Sequence, residues 1–292
     1  MCKRFWQIIL PLWAALAACD QAPASEAAAE PVPEVSLSVA PVVGGQEVNL
    51  CQFPSTVVAG SGCTATLIHP RIVTTAAHCL GGTTSTANVT FGGYRGTGTF
   101  SLRAMCKAGA SGSRGGGTGA DWGYCVIPED DRVKQIPITP PLVGCEAERF
   151  LKPGAEGWVV GYGTTGPSGQ GAGVKRAVKV KINKMGNGTV DVGDKDKGAC
   201  HGDSGGPIYM QLIDGDKDYG LRVFGSTSSA GMARCDCTCS TIYVNIAQHV
   251  KAIEMNEGID VTPCTDADGK WAPGPECNAI QTQPMSGGGT FP

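Results

Sequence analysis

The stretch Cys200-His201-Gly202-Asp203-Ser204-Gly205-Gly206-Pro207 constrains this chain more than any other part of it. Glycine has no Cβ, so the backbone around Ser204 can turn sharply and hold the hydroxyl outward with no neighbouring side chain in the way. The same turn can aim the amides of Gly202 and Ser204 at one point, the arrangement that a developing oxyanion requires. A serine hydroxyl is a weak nucleophile until a base takes its proton, so the segment predicts a histidine elsewhere.

The chain has four histidines, His69, His78, His201 and His249, and only His78 stands in an Ala-Ala-His-Cys context. Asp121-Trp122-Gly123-Tyr124-Cys125-Val126-Ile127 supplies an acid that leads into an apolar strand. In the order His, Asp, Ser, these segments resemble the trypsin/chymotrypsin family of serine endopeptidases. Cys63 precedes Cys79 by sixteen residues, the spacing at which that family closes a disulfide beside its histidine. Val42-Val43-Gly44-Gly45 resembles the family's mature amino terminus, and the resemblance covers residues 42 to about 260.

The resemblance implies that Ser204 attacks a peptide carbonyl while His78 takes its proton and returns it to the leaving amine. Asp121 would orient the imidazole, and the amides of Gly202 and Ser204 would form the oxyanion hole. No cofactor and no metal are implied. In the family, the residue at Asp203 pairs with the amino terminus freed by an activating cut, here the α-amine of Val42. A buried carboxylate without a partner is costly, so the uncut chain is expected to be a zymogen with a poorly formed site. The bond to be cut is Pro41–Val42, preceded by Val39-Ala40, whereas digestive members are usually cut after a basic residue. Three routes stay open: a proline-tolerant protease, trimming from the N-terminal side, or a domain that works uncut with another group satisfying Asp203.

Lys3 and Arg4 precede a stretch from Phe5 to Ala17 that is apolar apart from Gln7 and ends in Leu16-Ala17-Ala18-Cys19. Residues 1–18 read as a signal peptide, too short for a membrane span. The ending resembles a bacterial lipoprotein box, in which Cys19 is lipidated and becomes the first mature residue; the alternative is a plain signal peptide with Cys19 incidental. Asp20 resembles a signal for retention on the inner membrane, and the leaflet stays open. Residues 20–41 are rich in Ala, Pro and Glu without apolar periodicity, which predicts a flexible tether that doubles as propeptide. The expected protein is exported and lipid-anchored to a bacterial cell-envelope membrane, and a cut at Pro41–Val42 would activate and release it together.

Short β-branched or alternating runs at Ser55–Ala59, Thr64–Ile68, Arg71–Thr75, Gly157–Val160, Val174–Ile182 and Leu221–Ser226, with turn residues between, predict an all-β fold. The resemblance narrows this to two packed six-stranded antiparallel β-barrels with the active site between them. One helix is predicted over Asn245–Ile253, with Ile246, Val250 and Ile253 on one face and His249 off that face, in solvent. A net charge of −3 without a basic block gives no reason to expect nucleic acid as a partner. The expected partners are a protein or peptide substrate and, through the lipid, a membrane; the protease itself is expected to be a monomer.

Fourteen cysteines call for an oxidising compartment or a metal. With Cys2 leaving in the signal and Cys19 lipidated, twelve can form six disulfides. Beyond Cys63–Cys79, the family's bracing of its substrate pocket implies that Cys200 pairs with Cys235, Cys237 or Cys239. Cys106–Cys125, Cys51–Cys145 and Cys264–Cys277 are the remaining pairings proposed. Cys235-Asp236-Cys237-Thr238-Cys239 has no accompanying CxxC pair, so disulfides are expected there rather than a metal.

Gly198, six residues before Ser204, occupies the place where trypsin-like members carry an aspartate for Lys or Arg. By the same resemblance Thr241 lies on the pocket wall, and Ser228-Ser229-Ala230 matches the strand that pairs with substrate backbone. There Ser229 replaces the usual aromatic and Ala230 the usual glycine. This pocket, Gly198, Ser228, Ala230 and Thr241, implies a preference for small or medium uncharged side chains. Asp214-Gly215-Asp216-Lys217-Asp218 reads as a polar hairpin turn rather than a calcium loop, since no glutamate closes it. Residues 261–292 form a Pro/Gly-rich extension. The alternative function, from another class, is a non-catalytic binding or adhesion module on the same fold.

Overall fold

The computed structural model describes residues 42–93, 99–109, 118–164, 169–215, 217–230, 240–267, 270 and 272. The expected signal peptide, Cys19, the tether up to Pro41, Cys235, Cys237, Cys239, Cys277 and most of the C-terminal extension lie outside these residues. Among the described residues, no helix is long and apolar enough to cross a membrane.

The β-branched runs become strands. After a short β1 (Gln46–Glu47), the strands β2 (Thr56–Ala59), β3 (Cys63–His69) and β4 (Ile72–Thr75) pair in succession. Next, β5 (Thr84–Phe91) and β6 (Phe100–Ala108) form a long hairpin, and β7 (Gly123–Val126) fits between β4 and β6. Val58 and Ala59 of β2 pair with Thr90 and Val89 of β5, so the order β2-β3-β4-β7-β6-β5 closes on itself. Closure removes the open edges and encloses Val57, Leu67, Val73, Val89, Phe91 and Ile127.

The second half repeats the solution with β8 (Glu156–Gly161), β9 (Arg176–Met185), β10 (Thr189–Val192), β11 (Pro207–Asp214), β12 (Lys217–Ala230) and β13 (Thr241–Asn245). The order β9-β10-β13-β12-β11-β8 returns from β8 to β9, with β1 added along β9. Val159, Val180, Ile182, Val190, Leu212 and Phe224 fill this barrel. The chain therefore has the all-β architecture of two six-stranded antiparallel barrels. Asp214, at the end of β11, pairs with Lys217, at the start of β12, so the ends of two hairpin strands fall within the acidic segment, as the polar-turn reading expects.

A third apolar cluster, including Phe53, Ile68, Ile72, Tyr124, Tyr209 and Val223, joins the barrels. Its polar atoms are paired, with the Tyr209 hydroxyl 3.0 Å from Ser55 Oγ and 2.8 Å from Thr56 Oγ1. Helix α1 (Asp131–Lys134) begins at an Asp130 cap, and α2 (Gly144–Phe150) brings Glu146 to the fully buried Arg222 in a two-pronged ion pair of 2.8 and 2.9 Å.

The C-terminal helix forms, but as a 3₁₀ turn at Ile246–Gln248 followed by α3 (Val250–Glu257). Ile246, Val250 and Ile253 are buried, as their spacing predicts. Glu257 ties α3 to the first barrel, accepting from Lys107 Nζ at 2.7 Å and from the Tyr124 hydroxyl at 2.6 Å. His249 departs from expectation. It stacks on Trp122 with ring centroids 4.3 Å apart, and its Nε2 is buried. A helical stripe records only the helix's own packing face, and Trp122 arrives from the other barrel to cover a second one.

Disulfides join Cys63 to Cys79 and Cys106 to Cys125. Cys200 and Cys264 are disulfide-bonded as well. The expected Cys51–Cys145 pairing is not among these bridges: Cys51 is buried in the turn before β2, whereas Cys145 is exposed on the first turn of α2.

Candidate active site

Strand register brings His78 and Asp121 together. Thr75, at the end of β4, pairs with Gly123, at the start of β7, so the residues just beyond these ends are neighbours. His78 sits on a 3₁₀ turn, Ala77–Cys79, that the Cys63–Cys79 bridge ties to β3. Asp121 is fully buried. Its Oδ2 lies 2.8 Å from His78 Nδ1, and its Oδ1 accepts from the His78 backbone N–H at 3.0 Å. The Ser228 hydroxyl donates to the same Oδ2 at 2.6 Å. Burial alone would raise the Asp121 carboxyl, but the bonds from His78 and Ser228 outweigh it and hold the group below its ordinary value. An ionised carboxylate only accepts, so His78 Nδ1 carries the proton and Nε2 is left as a base.

The loop carrying Ser204, the expected nucleophile, belongs to the second barrel and is gripped by the first. Thr64 of β3 donates its N–H to Ser204 O at 3.0 Å and its hydroxyl to Gly202 O at 2.8 Å. The sulfur of Cys79 lies 3.6 Å from Ser204 O, next in the chain to His78. Gly205 has a positive φ of 77°, and a Cβ there would collide with the Thr75 hydroxyl and meet Thr64 O at 2.7 Å. The glycine after Ser204 is what allows the two barrels to approach this closely. Among the described residues no hydrogen bond joins the Ser204 hydroxyl to His78; apo sites often tighten that contact only around substrate.

Peptide planarity sets where the amides of Gly202 and Ser204, the expected oxyanion donors, point. The His201 carbonyl accepts from Thr164 N–H at 2.6 Å. In a trans peptide the C=O and N–H point opposite ways, so the Gly202 N–H is turned away from Thr164. The Asp203 carbonyl likewise accepts from Gly206 N–H at 2.8 Å, which turns the Ser204 N–H outward.

Asp203 points inward and is fully buried. Its Oδ1 accepts from Gly163 N–H and its Oδ2 from Cys200 N–H, both at 2.8 Å. Burial pushes its carboxyl up to about 6, against the pull of those two amides and of the Arg176 charge. Val42 is fully buried in the second barrel's core, and Val43 bridges Gly198, whose N–H donates to Val43 O at 3.2 Å.

Of the residues expected to line the specificity pocket, three are brought together. Ala230 pairs with Thr241 across the β12–β13 ladder, and a Cβ on Gly198 would come within 2.8 Å of Thr241 Oγ1. Thr241 is buried and accepts from Ala199 N–H at 3.1 Å. The fourth, Ser228, lies two residues before Ala230 on β12, and its hydroxyl donates to Asp121. Neither this role nor the double clamp by Thr64 carried a local signal, because each depends on contact between distant segments. A cleft of about 720 Å³ adjoins the oxyanion side, lined by Ser61, Tyr162, Gly163, Val174, His201 and Gly202 among others.

The sequence profile described as Trypsin matches residues 42–253. Among curated proteins, none matches the chain. The profile covers most of the chain, and the chain belongs to the trypsin family.

Proposed function

We propose that this trypsin-family chain is an exported serine endopeptidase whose working residues are His78, Asp121 and Ser204. His78 Nε2 takes the Ser204 proton as Oγ attacks the substrate carbonyl, and the negative oxygen is met by the amides of Gly202 and Ser204. Collapse expels the amine, which receives the proton from His78, and water then releases the acyl group by the reverse sequence. The observation that carries this reading is the two-point hold of Asp121 on His78, which fixes one nitrogen as donor and frees the other as base. The apolar-sided cleft beside Gly202 suits the leaving half of the substrate.

Val42 supports activation by a cut before it. Its φ of 45° is unfavourable for a β-branched residue inside a chain. A free amino terminus has no preceding carbonyl and no such restriction, so cutting Pro41–Val42 relieves the backbone while leaving the side chain in its core. The α-amine released there would then serve Asp203. The lipid on Cys19 would tether the uncut protein to an envelope membrane, and the same cut would free it.

Gly198 offers no counter-charge, and Thr241 fills the space beside it, so the favoured residue before the scissile bond is small or medium and uncharged. A substrate library presented to the form beginning at Val42 tests the proposal. Cleavage after Ala or Val, absent in Ser204→Ala, supports it; efficient cleavage after Arg instead overturns the specificity, and no cleavage of any sequence favours the non-catalytic module.

A further inference from the structure

The profile match and the triad leave unexplained how Asp203 is accommodated before any amino terminus is freed. The β8–β9 ladder offers a partner. Gly161 pairs directly with Arg176, and a Cβ on Gly161 would collide with Asp203 Oδ1. The missing side chain at 161 is therefore the space the carboxylate occupies. Residues directly opposite in an antiparallel pair project from the same face, about 5 Å apart at Cβ. The Arg176 side chain thus rises from the face against which Asp203 lies.

That arginine is itself buried, with 6% of its side chain exposed. Its Nη1 donates to Gly171 O at 2.9 Å and to Val174 O at 3.1 Å, and its Nη2 to Glu47 Oε1 at 2.6 Å. Its Nε is buried with no acceptor among the described residues. Glu47 is largely exposed and is the directly bonded partner of the guanidinium, whereas Asp203 is fully buried, where a charge is screened less. Behind burial, the Glu47 contact on Arg176 and the two amides on Asp203, the two buried groups also act on each other: Arg176 favours the ionised Asp203, and Asp203 favours the charged Arg176.

We propose that Arg176 is a standing counter-charge for Asp203, a positioning residue that holds the oxyanion loop in its working shape before any cut at Pro41–Val42 and gives the uncut chain protease activity of its own. The α-amine of Val42 then adds a second cation rather than the first. This rests on the serine-protease reading above and selects among its activation routes: cutting amplifies activity instead of creating it.

The test is the rate at which a fluorophosphonate probe labels Ser204, measured on the full chain verified uncut by intact mass and on the form beginning at Val42. The uncut wild type is expected to label. Arg176→Gln is expected to slow the uncut chain about tenfold or more and the Val42 form less than about threefold, because only the latter has another cation. Arg176→Lys keeps the charge and is expected to restore most of the uncut rate. Glu47→Gln removes only the exposed anion and is expected to leave the uncut rate within about threefold. Melting temperatures identify any variant that fails to fold, and Glu47→Gln and Arg176→Lys keep the question open to refutation if Arg176→Gln does. The proposal is overturned if the uncut wild type does not label while the Val42 form does, if Arg176→Gln slows both forms equally or neither, if Arg176→Lys is as slow as Arg176→Gln, or if Glu47→Gln slows the uncut chain tenfold. Failure of both wild-type forms to label overturns the serine-protease reading itself.

Discussion

Ser228 and Asp121 are 107 residues apart in the chain, and the hydroxyl of one donates to the buried carboxylate of the other at 2.6 Å. The bond joins β12 of the second barrel to the approach to β7 in the first, so the acid that orients His78 is fixed from both halves of the molecule. Ser228→Ala removes one hydrogen bond to a charged group while both His78 contacts remain. A fall in kcat of about tenfold with KM little changed is expected, against about 10,000-fold for Asp121→Asn, which leaves the imidazole in the wrong tautomer. Steady-state kinetics on the two variants checks the ordering.

The Arg222–Glu146 pair is structural. Arg222 has no exposure, and Glu146 accepts from it at two points. Glu146→Ala removes a two-point carboxylate partner from a buried charge and should destabilise the fold by about 3–5 kcal/mol, while the joint change to two methionines should recover most of that loss. Denaturant melts measure both, and the activity per folded molecule should not move.

His249 predicts an acid limb in stability. Burial against Trp122 lowers its imidazole from 6.5 to about 4, only partly opposed by the backbone of Gly119. The folded state then binds fewer protons than the unfolded chain between those values. The stability it contributes is fully present above about 6.5 and is lost as pH falls toward 4 and below. His249→Phe keeps a ring on Trp122 and removes the titration, so the melting temperature of that variant should fall less over this window than the wild type's.

Thr241 sets the size of the pocket in the proposed specificity. Thr241→Gly removes the hydroxyl that crowds Gly198. Relative kcat/KM should shift toward Leu and Phe by about tenfold over Ala, the worth of a few methylenes in an apolar pocket. An unchanged ranking would place the specificity elsewhere.

The parts of this molecule that were legible in its sequence are those whose physics is local. Gly202, Gly205 and Gly206 announce a turn that no other residue could make, and Thr64–Ile68 or Arg71–Thr75 announce strands by β-branching alone. Residues 84–91 and 100–108, a hairpin of the first barrel, are weaker because their outer face is polar and exposed. The roles of Ser228, Thr64 and Arg176 depend on which strands meet, and nothing within a few residues of each encodes that. His249 shows the same limit: the helix stripe located the helix, but the partner ring comes from residue 122. The expected Cys51–Cys145 bridge failed for this reason too, since cysteine count constrains pairing only after the fold has set which thiols approach.

The central claim is that Ser204 is an activated nucleophile. The direct measurement is intact and peptide mass of the Val42 form after brief exposure to a fluorophosphonate, beside Ser204→Ala. The account predicts a single adduct, mapped to Ser204 and absent from the variant. A correctly folded Val42 form that takes no adduct would contradict it and leave a protease fold that binds without cutting.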